Sequence, residues 1–96
     1  MPLTVIATLK AKQGREDNLF RELQALVAPT QAEQGCLVYE LHRSHEEAGT
    51  FMFYEQWADR PVWDAHMQMP HLTAFSAKQG DLAESWSLFV GEKVAG

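Results

Sequence analysis

Residues 50–75 read TFMFYEQWADRPVWDAHMQMPHLTAF, and this stretch decides the fold. Its first eight residues alternate, with Phe51, Phe53, Glu55 and Trp57 on one face, which predicts a β-strand. Asp59 then suits a helix N-cap, and Pro61 lies just inside the helix start. Pro70 interrupts the helical spacing that follows. The stretch therefore predicts a strand followed by a helix in two pieces.

The flanking sequence adds three more strands and one more helix. The predicted strands are Leu3–Ala11, Cys36–His42, Thr50–Trp57 and Ser85–Val94. An apolar stripe over Arg15–Val27 predicts a helix that Pro29 must kink or end. The order β, α, β, β, α, β is that of a ferredoxin-like α+β fold with an antiparallel sheet. Apolar residues on both faces of the sheet predict that a second copy covers the face opposite the helices, as a homodimer.

Length and charge limit the classes of function. The chain has 96 residues, which is the size of one domain, and residues 1–96 are expected to form a single one. A formal net charge of −5 argues against a nucleic-acid partner. The single cysteine, Cys36, predicts a reducing compartment, and no apolar run is long enough to cross a membrane. We therefore expect a cytoplasmic protein.

His66 is the strongest candidate for proton chemistry. It lies on the same predicted helical stripe as Val62 and Trp63, so its imidazole should face the interior or a cavity. A histidine titrates near neutral pH and can act as a general base, although a hydrogen-bonded core histidine fits the same pattern. His66 and His71 lie about 140° apart on an ideal helix, which argues against a shared metal ion. No metal is expected.

Glu55 shares its predicted strand face with aromatic residues. A buried carboxylate is costly without a partner, so Glu55 is expected to pair with an arginine or with His66, or to lie at a cavity mouth. The aromatic side chains nearby suit a flat apolar ligand, although most aromatic residues of a small domain belong to its core. Which face of strand 50–57 meets the pocket decides whether Tyr54 or its neighbours line it.

Three segments of the chain are similar to the antibiotic biosynthesis monooxygenase family, particularly to its small bacterial quinol monooxygenase-like members. They are LTVIATLKAKQGRED, EQGCLVYEL and the stretch 50–75, in which E-x-W is followed by H-x-x-x-P-H. The resemblance covers nearly the whole chain. It implies a dimeric α/β barrel that oxidises small aromatic or quinol substrates with O2 and without any cofactor. It also implies His66 as the catalytic base and a substrate-binding set of Tyr54, Glu55, Trp57, Trp63, Met67, His71 and Phe75.

The same fold permits other functions. One related branch is an isomerase of a phosphorylated ligand and would need cationic residues in the pocket, for which Arg43, Arg60 and Lys78 are the candidates. Haem-degrading relatives use an asparagine and a tryptophan where this chain aligns Ala7 and His66, which disfavours haem. The alternatives to a monooxygenase are therefore an isomerase or lyase of a small polar metabolite, and a non-catalytic dimeric ligand-binding or stress-response module.

Overall fold

The computed structural model describes residues 2–96 and has the predicted order of elements. The strands are β1 (Leu3–Ala11), β2 (Cys36–Arg43), β3 (Thr50–Trp57) and β4 (Ala83–Gly91). The helices are α1 (Glu16–Ala25), α2 (Val27–Gln31), α3 (Arg60–His66) and α4 (Pro70–Leu82). The ferredoxin-like α+β fold is confirmed. No helix among the described residues combines the length and apolar character that crossing a bilayer requires.

The four strands form one antiparallel sheet in the order β2-β3-β1-β4. Ala7 in the middle of β1 lies opposite Phe53 of β3 and Leu88 of β4, so these side chains share one face. On β3 the odd-numbered residues from 51 to 57 are all buried and the even-numbered ones are partly exposed. The helices therefore cover the face that carries the odd-numbered residues.

The first helix and the last strand differ most from the sequence prediction, and the last strand also ends three residues early, at Gly91. The first helical region, which consists of α1 and α2, breaks at Leu26. Pro29 lies in the first turn of α2 rather than at the break. A proline fits there because the first turn needs no backbone N–H donors inside the helix. The last strand begins at Ala83, two residues early, because α4 ends at Leu82 and Ala83 pairs with Ala11 after a register shift in β1.

The turn before β2 lies close to the second helical region, which consists of α3 and α4. Gly35 has φ of +83°, a conformation that glycine adopts without strain. A Cβ atom at this position would lie 2.8 Å from the side chain of Val62 in α3, so only glycine allows this close approach. Asp59 caps α3 as predicted, with its carboxylate accepting a hydrogen bond from the Val62 N–H at 3.1 Å. The position of α3 is therefore fixed at its N-terminal end.

Candidate functional site

A cavity of about 330 Å³ lies between the helix-covered face of the sheet and the second helical region. Five of its lining residues are exposed and mark its mouth, namely Met67, Ser76, Trp86, Ser87 and Leu88. Trp86 and Leu88 share the helix-covered face with Leu9 and Ala7, but no helix covers this part of β4. The lining is mostly apolar, and its titratable members are Tyr39, Glu55 and His66.

His66 is the last residue of α3 and is 2% exposed. Its ring lies against the indole of Trp57, with ring centroids 4.6 Å apart, and meets Tyr39 edge-on at 5.7 Å. Its Nδ1 atom is 2.8 Å from Oε2 of Glu33, which leaves Nε2 as the ring nitrogen without a hydrogen-bond partner among the described residues. Burial lowers the pKa of His66, while the hydrogen bond and the charge of Glu33 act in the opposite direction. The ring is therefore neutral at pH 7 and can accept a proton.

Glu33 joins the two histidines of the H-x-x-x-P-H segment. Its Oε2 atom lies 2.8 Å from Nδ1 of His66 and 2.8 Å from Nε2 of His71. The expectation that the two histidines point apart is wrong, because it assumed one continuous helix. The chain instead ends α3 at His66 and begins α4 at Pro70. The three side chains come within 4.8 Å of one another and are residue types from which metal sites are built.

Glu55 lies in the cavity wall at 4% exposure. Its Oε1 atom accepts a hydrogen bond from Nε1 of Trp57 at 2.9 Å. The expected pairing with an arginine or with His66 is wrong, because Glu55 bonds to Trp57 and His66 bonds to Glu33. Burial raises the pKa of Glu55 to about 7, the Trp57 hydrogen bond opposes the rise, and the charge of Glu33 adds to it. Glu55 is therefore a carboxyl group that exchanges its proton near neutral pH.

The other predicted substrate-binding residues fall into three positions. Trp63, Met67 and Phe75 line the cavity beside Glu55. Trp57 and His71 lie outside the lining, where Trp57 packs against the His66 ring and His71 contacts Glu33.

Tyr54 lies on the opposite face of the sheet, because neighbouring residues of a strand point to opposite sides. Its hydroxyl accepts a hydrogen bond from Nε2 of Gln56 at 2.6 Å. The expectation that Tyr54 lines the pocket is therefore wrong, because the odd-numbered face of β3 meets the cavity.

Sequence reasoning missed Glu33 and several cavity-lining residues. Glu33 precedes Gly35 in a turn, and no local pattern connects it with histidines more than 30 residues away. The lining residues that the prediction omitted are Val5, Ala7, Leu9, Leu26, Tyr39, Phe53, Leu72, Ser76, Gln79, Trp86, Ser87 and Leu88. The alternation of β4 could have identified Trp86 and Leu88, because it places them on one face of the last strand.

The cationic candidates for a phosphorylated ligand lie elsewhere. The Arg43 guanidinium lies over the ring of Phe20, and Arg60 lies over Trp63 and pairs with Asp64. Lys78 pairs with Glu22 in a separate surface groove of about 680 Å³, which has a charged and solvated lining. Among residues 2–96, those that line the cavity beside His66 include no lysine or arginine.

Cys36 begins β2 and is partly buried. Burial and the charges of Glu33 and Glu55 raise its thiol pKa to about 11. The thiol is therefore protonated at neutral pH.

Comparison with known sequences gives one family. The profile of the family described as Antibiotic biosynthesis monooxygenase matches residues 2–78. The relative named Putative monooxygenase Rv0793, from Mycobacterium tuberculosis, is 32% identical over 81 residues, which are 84% of this chain and 79% of that protein. An uncharacterized protein of Synechocystis is 30% identical over 81 residues, and this chain spans only 55% of its length.

Comparison with solved structures gives the same arrangement of elements. The crystal structure of PA3566 from Pseudomonas aeruginosa superimposes with a TM-score of 0.94 at 38% identity, covering 98% of this chain and 95% of that one. The structure of Rv0793 superimposes with a TM-score of 0.93 at 28% identity, covering 100% of this chain and 98% of that one.

Proposed function

This chain belongs to the antibiotic biosynthesis monooxygenase family, and from that premise we propose that it is a cofactor-independent monooxygenase of small aromatic or quinol substrates. The observation that supports this most directly is the apolar cavity in which a neutral His66 and a titratable Glu55 both form part of the wall. The site residues are accordingly His66 as the base, with Glu55, Trp63, Met67 and Phe75 in contact with substrate.

The size and lining of the cavity favour a flat substrate of one or two rings. A dry apolar cavity of about 150 Å³ is sufficient for benzene, and this one is roughly twice as large. Aromatic and aliphatic side chains form most of the wall, and its few polar groups can orient a hydroxyl. The absence of lysine and arginine from this lining, within residues 2–96, argues against a phosphorylated substrate.

The chemistry begins with proton removal. Nε2 of His66 accepts a phenolic proton, and the electron-rich anion then reduces O2. For a hydroquinone, one oxygen atom enters the ring, the other leaves as water, and the product is a hydroxyquinone, so the substrate supplies all four electrons. Protonated Glu55 can donate a hydrogen bond to an oxygen anion, and the apolar wall excludes water from reactive intermediates.

We further propose that the protein is a homodimer. Phe89 on the uncovered face of the sheet is 55% exposed, and Ile6, Met52 and Tyr54 lie beside it on the same face. Exposed apolar groups on one flat sheet face are typical of an interface. Sedimentation of the purified protein is expected to give twice the mass of the chain, and a monomer at micromolar concentration would contradict this.

The test of the proposed function is oxygen uptake. Metal-stripped protein is assayed against one-ring and two-ring hydroquinones and phenols, together with His66→Ala and the matched control His45→Ala, which alters an exposed turn histidine. We expect uptake above the autoxidation rate, a loss of about 10²- to 10⁴-fold in His66→Ala, and no change in His45→Ala. Full turnover in His66→Ala would refute the role of this histidine. Conversion of substrate without oxygen would instead indicate an isomerase or lyase, and binding without conversion a ligand-binding module.

A further inference from the structure

A line of three side chains runs from the cavity wall toward solvent. His66 lines the cavity, Glu33 touches both histidines, and His71 lies at the outer end. The side chains of His66 and Glu33 are only 3% and 5% exposed, whereas that of His71 is 22% exposed. Both N···O distances are 2.8 Å, which is hydrogen-bond distance, so the line has no gap between His66 and His71.

We propose that Glu33 and His71 form a proton relay that connects His66 with solvent. This inference rests on the proposed function, because it accounts for the proton that His66 takes from the substrate. Neither Glu33 nor His71 lines the cavity, so both act through His66 and are not in contact with the substrate.

The relay balances its protons at every step. When Nε2 of His66 accepts a proton from the substrate, Nδ1 releases its own to Oε2 of Glu33. His71 starts as the tautomer that carries its proton at Nδ1, so its Nε2 atom is free to accept the proton of the newly formed carboxyl group, and Nδ1 of His71 then releases its own proton to water. One proton leaves the cavity, and both imidazoles change tautomer. The reverse sequence returns a proton to the cavity when the reduced oxygen species needs it, and it restores both tautomers.

Burial explains why His66 needs such a route. An imidazolium ion in a cavity that excludes water is unfavourable, and burial already lowers the pKa of this ring. A proton that stayed on His66 would therefore return to the substrate anion. Moving the charge to His71 places it where water can solvate it. Trp57 and Tyr39 pack against the His66 ring, and Glu33 is its hydrogen-bond partner in the structure.

The first test does not depend on turnover. Protein labelled with ¹⁵N-histidine is used to measure the exchange of the His66 ring N–H with solvent, in the wild type and in Glu33→Gln, His71→Phe and the control His45→Phe. Glutamine keeps the shape of Glu33 but cannot carry a proton, and phenylalanine removes the outer end of the line. We expect exchange to slow by at least about tenfold in both relay variants and to be unchanged in the control. Unchanged exchange in His71→Phe, in a variant whose spectrum shows that it is folded, would overturn the relay.

The second test uses turnover on whichever substrate the oxygen-uptake assay identifies. His71→Ala is expected to lose kcat by about tenfold or more with little change in KM, and added imidazole should restore part of that loss. A purely structural role would not respond to imidazole. Failure of this rescue overturns the relay but leaves the proposed function intact, whereas slowed exchange without any oxygen uptake contradicts the function alone. Stoichiometric binding of Zn²⁺ that disappears in both Glu33→Gln and His71→Phe would assign the cluster to a metal ion and overturn the relay.

Discussion

The two helical regions of this fold are used in different ways. In the first, only Leu26 separates α1 from α2, Leu19 and Leu23 of α1 are fully buried, and Phe20 stacks on Phe51 of the sheet. In the second, three residues separate α3 from α4, and a cavity with Glu55 and His66 in its wall lies beneath this break. The comparison indicates that the first region provides packing and the second provides the site.

The largest expected difference between the two regions is in packing. Leu23→Ala should lower the free energy of unfolding by about 2–5 kcal/mol, because it opens a void in a fully packed site. Met67→Ala, at the exposed mouth of the existing cavity, should cost less than about 1 kcal/mol. Urea unfolding of both variants measures the two costs. Equal costs would show that the second region is packed as tightly as the first.

A second difference is in the response to pH, and it comes from Glu55. Its pKa rises from 4.5 to about 7 in the folded protein, so the folded state holds a proton that the unfolded state releases between these values. The resulting contribution to stability is present at low pH and is lost as the pH rises through 7. Relative to wild type, Glu55→Gln should therefore gain about 3 kcal/mol of stability between pH 4.5 and pH 7.5.

Comparing wild type with Glu55→Gln removes the contributions of other groups. His66 acts in the opposite direction, because its lowered pKa makes stability fall as the pH drops below 6.5. This effect is present in both proteins and cancels in the difference between them. Urea unfolding at pH 4.5, 6 and 7.5 gives that difference directly. A difference that does not depend on pH would mean that Glu55 is solvated in the folded protein.

The smallest expected effect concerns the cap of α3. Asp59→Ala removes the acceptor for the Val62 N–H and should cost about 0.5–2 kcal/mol. The matched control Asp64→Ala breaks only an exposed pair with Arg60 and should cost no more than about 0.5 kcal/mol. Thermal unfolding of the two variants compares them. If both lose the same stability, α3 is held by packing on Gly35 and not by its cap.

Much of the fold could be predicted from local patterns. The alternation of Thr50–Trp57 gave the strand, its faces and both of its ends, because a half-buried strand has a period of two. Asp59 and Pro70 predicted where helices begin, since both act through the backbone next to them. Pro29 was misplaced because proline is compatible with the first turn of a helix, and sequence alone did not show that a new turn begins at Val27.

The site was less predictable, because its contacts join distant segments. His66 and Glu55 could be singled out as polar residues in apolar surroundings, but their partners could not be assigned. Glu33 reaches His66 across 33 residues and His71 across 38, and no periodicity extends over such separations. Tyr54 was assigned to the pocket because the resemblance places that segment at the site without fixing which face of the strand is turned inward.

The raised pKa of Cys36 has a practical consequence for a protein that is proposed to handle oxygen. Only about one thiol in ten thousand is ionised at pH 7 when the pKa is about 11, and the thiolate is the form that peroxides and alkylating reagents attack. The lone native cysteine should therefore resist both oxidation and labelling. A second cysteine introduced in the exposed turn at Glu46 could then receive a spectroscopic probe selectively, in a chain that needs no cysteine removed beforehand.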